Sequence, residues 1–65
     1  MTGKVSAFDQ KRGRGEITAV DGRAYGFHST AIADGTRNIA VGTEVEFEVV
    51  PAQLGTWEAA AVAKR

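Results

Sequence analysis

Sixty-five residues, with eight Lys and Arg balanced by eight Asp and Glu, make room for one small domain over 1–65 and little else. Eleven alanines, seven valines, three isoleucines and one leucine make a small core, too small for a deep substrate cleft, so the chain is not expected to be an enzyme or to take a small-molecule substrate or cofactor. The absence of cysteine excludes disulfides, zinc fingers and thiol nucleophiles, and favours a reducing cytoplasm as the expected location.

No stretch reaches the roughly 20 apolar residues of a membrane span, and the first residues lack the apolar core of a signal peptide, so no membrane partner is expected. One imidazole, His28, among scattered carboxylates predicts no metal site. Charge is unevenly placed. Residues 1–23 carry five basic and three acidic groups, whereas 34–58 set Arg37 alone against Asp34, Glu44, Glu46, Glu48 and Glu58. Overall neutrality argues against strong polyanion binding, and whatever basic potential exists belongs to the first half.

In chain order, Lys4–Phe8 reads as a first strand and Glu16–Val20 as a second, followed by an Asp21-Gly22 hairpin turn. Arg23–His28 makes a third, with Tyr25 and Phe27 on one face and Gly26 and His28 on the other. Asp34-Gly35 and Val41-Gly42 punctuate a loop. Thr43–Val50 alternates most clearly: Val45, Phe47 and Val49 face inward, and Glu44, Glu46 and Glu48 form a solvated outer row. Pro51 lacks a backbone donor and should end that pairing. Trp57–Ala63 is alanine-rich and favours helix by propensity, but its short length after a Gly55 turn predicts a closing strand. Val5, Ile17, Phe27, Ile32, Val45, Phe47 and Val49 are the expected core. Five short strands with no second layer predict a small, curved, closed sheet, whose closure removes exposed edges.

Gly3-Lys4-Val5, Phe8-Asp9, Arg12-Gly13-Arg14-Gly15-Glu16-Ile17 and Phe27-His28-Ser29-Thr30-Ala31-Ile32 follow one another at spacings that resemble the cold-shock domain. Asp34-Gly35, Gly42-Thr43-Glu44-Val45-Glu46-Phe47 and Gly55 through Val62 extend the resemblance over nearly the whole chain. It implies an all-β fold, a small five-stranded OB-type antiparallel β-barrel, binding single-stranded RNA or DNA. Such domains stack bases on exposed aromatics and meet phosphates with basic side chains. This chain departs from that pattern at the aromatics. Arg14 and Glu16 stand where the first motif has stacking rings, Ala7 where a tryptophan usually precedes Phe8, Gly26 and Ser29 at two further ring positions, and Thr36 at a loop aromatic followed by the retained Arg37. Each stacked base is worth about 1–3 kcal/mol, so binding is expected to be weak and largely electrostatic.

The expected contact set is Lys4, Phe8, Arg12, Arg14, His28 and Arg37. Arg12 and Arg14, near Lys4 and Lys11, are either phosphate contacts with guanidinium stacking or a solvated face paired with Glu16 or Asp9. Gly13 and Gly15 lack a following GK[ST], so a tight turn or close packing explains them better than a phosphate loop. His28 either contacts a base or is merely exposed; beside Ser29 it makes no hydrolase, since neighbours on a strand point to opposite faces. Phe8 is divided between the binding surface and the core. Trp57 is expected to be buried over Leu54 at the barrel end, the alternative being a displaced stacking surface. The competing function is a protein-interaction module with a protein partner, on a barrel that has lost base stacking.

Overall fold

The computed structural model describes residues 1–65, the side chain of Gln53 apart. Strands β1 (Thr2–Asp9), β2 (Arg14–Ala19), β3 (Ala24–His28), β4 (Glu44–Pro51) and β5 (Trp57–Lys64) close into a barrel in the order β1-β2-β3-β5-β4. Short 3₁₀ turns occupy Ser29–Ala31 and Gln53–Gly55. Among the described residues no helix is long and apolar enough to cross a membrane. The β1–β2, β2–β3, β1–β4 and β4–β5 ladders are antiparallel, whereas β3 meets β5 in parallel through Gly26 and Glu58. That parallel seam brings residues far apart in sequence onto one outer face.

Pro51 is the last paired residue of β4, opposite Trp57, where its missing N–H costs no ladder bond. The alanine-rich segment is strand despite its helix propensity, because pairing with β4 over 57–60 and again at 63–64 satisfies most of its backbone. Its irregular pattern has a specific cause. Glu46 pairs with Ala63 but Glu48 with Ala60, so β5 carries one extra residue there, and Ala61 takes a φ of 50°. This bulge moves the inward positions from Ala59 to Val62, a step of three where a regular strand steps by two.

A second bulge lies in β1, where Val5 pairs with Ile17 and Ala7 with Glu16. It leaves Ala7 exposed and turns Phe8 inward, against the core. There Phe8 stacks on Phe27, ring centroids 6.0 Å apart and 16° from parallel. Gly15, between them on β2, has no space for a side chain: a Cβ would lie 2.6 Å from Phe27 Cζ and 2.8 Å from the Ala7 carbonyl oxygen.

Val5, Ile17, Tyr25, Phe27, Ile32, Val45 and Phe47 are buried, joined by Ala19, Ile39, Ala59 and Val62. Val49, expected among them, is half-buried and packs on the core margin. The expectation for Trp57 fails: it is 55% exposed, and Leu54, which it was to cover, is 99% exposed. Trp57 opens β5 at the last rung of the β4–β5 ladder, beyond the strands that enclose Ala59. The interior is already filled by the Phe8–Phe27 and Tyr25–Phe47 ring pairs, the latter 5.7 Å apart.

Candidate nucleic-acid interface

The outer face of β2 and β3 begins with a turn that Asp9 organises. Its Oδ1 accepts from the backbone N–H of Lys11 at 3.0 Å and of Arg12 at 3.2 Å, an Asx turn that folds the basic segment back toward β2. Gly13 follows in the left-handed region at φ 65° and hands its carbonyl to the Ser29 N–H at 2.7 Å, joining the β1–β2 turn to the end of β3. Arg12 stays 82% exposed, its Nε 3.8 Å from Asp9 Oδ2. An ion pair that open is worth little, so Arg12 remains available to another anion.

Arg14 and Glu16 both point outward, as strand alternation requires. Arg14 lies opposite His28 in the β2–β3 ladder, and its Nη1 donates to His28 Nε2 at 3.0 Å. Because arginine has no acceptor, the imidazole proton in this contact sits on Nδ1. Arg14 Nη2 donates to Glu58 Oε2 at 3.2 Å, across the parallel seam. The guanidinium passes over Gly26, where an added Cβ would come within 3.3 Å of Nη2. Gly26 therefore leaves its outer space to Arg14, and three strands supply one polar cluster.

Two recesses flank this cluster. One is lined by Ala7, Phe8, Asp9, Arg12, Arg14 and Gly15; the other by Arg14, His28, Pro51, Ala52, Thr56 and Glu58. Arg14 borders both. Of the expected contact residues, the fold brings Phe8, Arg12, Arg14 and His28 together. Phe8 is half-buried, so it serves the core and keeps an edge at the first recess. Lys4 lies toward the other end of β1, opposite Thr18 and Glu44, in a recess shared with Arg65. Arg37 sits exposed in the loop before β4, at φ 56° and outside both recesses. The Glu44, Glu46 and Glu48 row is exposed on β4, which the barrel order separates from β2 and β3 by β1 on one side and β5 on the other. That acidic row thus lies away from Arg12 and Arg14, whereas Glu58 joins Arg14 on the outer face.

Glu58 is the participant that sequence reasoning missed. The sequence offers Glu16 or Asp9, both local, as partners for the two arginines; Asp9 does approach Arg12, but Arg14 pairs with a residue 44 positions away. No periodicity encodes that contact; only the parallel β3–β5 register could have located it.

A closed five-stranded barrel with Arg14 and His28 on its outer face and Arg12 in the turn beside them is of the OB type, a class of small β-barrel. The family model described as 'Cold-shock' DNA-binding domain matches residues 1–65, and the chain belongs to that family. Nucleic-acid binding without catalysis is the function the family carries.

Proposed function

We propose that this chain binds single-stranded RNA or DNA across the outer face of β1, β2 and β3, weakly and mainly through phosphates, in a reducing cytoplasm. The observation that carries this is the Arg14–His28 contact at 3.0 Å beside exposed Arg12 and the edge of Phe8. Arg12 and Arg14 meet phosphate oxygens, and His28 and Phe8 add base contact. Ala7, Gly26 and Glu16 lie along the cross-strand row where stacking would otherwise occur, and none of them offers a ring. Phosphate contacts from Lys4 and Arg37 would extend the path beyond this face.

The test is a fluorescence-anisotropy titration with short single-stranded oligonucleotides at two salt concentrations. For single strands log K falls with log salt at a slope of about −0.7 per phosphate neutralised. Arg12→Ala should weaken binding by similar factors for strands of different sequence, Arg14→Ala should weaken it for every strand, and each should make the slope shallower. Absence of binding at low salt refutes the proposal; strong binding insensitive to salt refutes its electrostatic character.

A second reading has its own observation. Leu54 and Trp57 are exposed at the β4–β5 turn, and Leu54 holds a left-handed φ of 60° that leucine seldom adopts. An apolar pair displayed this way suits a protein partner. That reading predicts a chain that ignores oligonucleotides and loses its partner on Leu54→Ser with Trp57→Ser.

A further inference from the structure

The second recess of the outer face is a polar cleft of about 510 Å³ between β2, β3 and the β4–β5 connection. That lies within the volume range of small-molecule sites, roughly 300–1,000 Å³, and accommodates a nucleobase. Its rings are the His28 imidazole and Pro51, and its charged groups are Arg14 and Glu58. The Glu58 side chain is 29% exposed; Oε2 accepts from Arg14, and Oε1 has no hydrogen-bond partner among the described residues.

An ionised carboxylate only accepts hydrogen bonds. A phosphate offers it nothing but repulsion, so any favourable contact must come from donors on a base edge. Guanine is the one common base with two adjacent donors, N1–H and the 2-amino group, on its Watson–Crick edge. Adenine and cytosine set a single amino group beside an acceptor nitrogen, and thymine and uracil place one N–H between two carbonyls. Arg14 completes the arrangement. It holds Oε2 from the side and offsets the negative charge that would otherwise repel the phosphates of a bound strand.

We propose that Glu58 makes this cleft a guanine-reading site within the single-strand interface, an inference that rests on the nucleic-acid reading above. Its carboxylate accepts from guanine N1–H and N2–H while the purine lies between the rings of His28 and Pro51. Arg14 is a positioning residue for Glu58 as well as a phosphate contact. Specificity thus comes from an edge contact on a face without stacking aromatics.

The experiment measures anisotropy at low salt with short oligothymidylate strands carrying one central guanine, hypoxanthine, adenine, cytosine or thymine. Guanine should bind about 5–20-fold more tightly than adenine, the range expected for a partly exposed paired contact. Hypoxanthine, which lacks the 2-amino group, should fall between them. Glu58→Gln should collapse the guanine-to-adenine ratio to within about twofold, while all-thymine affinity rises because Arg14 loses its anionic partner and is freed for phosphate. An amide NMR spectrum of wild-type dispersion confirms that the variant is folded. Equal binding of all five strands overturns this inference and leaves the interface standing. A Glu58→Gln variant that binds every strand more tightly at an unchanged ratio also overturns it, because the carboxylate then serves only to hold Arg14. Binding of no strand overturns the interface and the guanine site together.

Discussion

Gly15→Ala is the sharpest test of how the barrel is packed beneath the interface. The new Cβ would lie 2.6 Å from Phe27 Cζ, 2.7 Å from Phe27 Cε1 and 2.8 Å from the Ala7 carbonyl oxygen. Carbon atoms prefer about 3.5–4.0 Å, so either a buried ring or a backbone must move by about 1 Å. The ring has little freedom: Phe27 is 0% exposed and stacks on Phe8. The carbonyl belongs to the β1–β2 ladder, so retreat on that side would open the pairing. Overpacking of this kind costs typically about 1–3 kcal/mol, and with backbone involved the upper end applies. Chain-entropy effects alone would make Gly→Ala stabilising by about 0.4–1 kcal/mol, so the sign of the change is itself diagnostic. A chain of this length is stable by roughly 3–10 kcal/mol, and a loss of about 3 kcal/mol lowers Tm by about 12–24 °C. Urea and thermal unfolding followed by circular dichroism measure both quantities. Gly26→Ala is the control, since its Cβ meets the end of the long Arg14 side chain at 3.3 Å and the Gly15 carbonyl oxygen at an ordinary 3.9 Å, and it should cost under about 1 kcal/mol. Adding Phe27→Leu should recover part of the Gly15→Ala loss, a non-additivity expected of residues in contact. A Gly15→Ala protein within about 0.5 kcal/mol of wild type would refute the packing argument.

Phe47→Ala removes a ring that is 4% exposed and packs against Tyr25, so it should destabilise by about 3–5 kcal/mol; near wild-type melting would contradict its burial. Arg14→Phe with Glu16→Phe should build two outward rings, but the structure adds a requirement: without Arg14, Glu58 is left unpaired beside them, so Glu58→Gln belongs in the same variant. The triple variant should gain about 1–3 kcal/mol per stacked base in single-strand binding, and the gain should vanish with an abasic strand. The Asp34 carboxyl is held below its ordinary pKa, first by the Thr36 backbone N–H, then by the Thr36 hydroxyl and by Lys64. Because its folded value is depressed, its contribution to stability is present above the unfolded pKa and is lost as pH falls through the folded one. Carbon-detected NMR titration should place Asp34 below the usual carboxylate range, and Thr36→Val should move it part of the way back; an unmoved value would remove the hydroxyl from the account.

Local pattern was enough wherever a strand obeys period two and a turn has its own residues. Glu44–Glu48 declares its inner and outer faces through strict alternation, and Asp21-Gly22 and Tyr25–Phe27 likewise settle a hairpin and two core positions. The motif spacing was enough for the barrel and its family. Tertiary structure decided what lies beyond neighbouring residues. The bulges at Val5/Ala7 and near Ala61 reset which side chains face inward, so Phe8 joins the core and the alanine-rich strand loses its period. A bulge is a property of two strands in register, and one strand's pattern does not contain it. Trp57 is exposed because its rung is the last of the ladder, a matter of where the barrel stops and not of how apolar the residue is. Glu58 reaches Arg14 only through the parallel closure of β3 with β5, so the chemistry of the outer face is a consequence of topology.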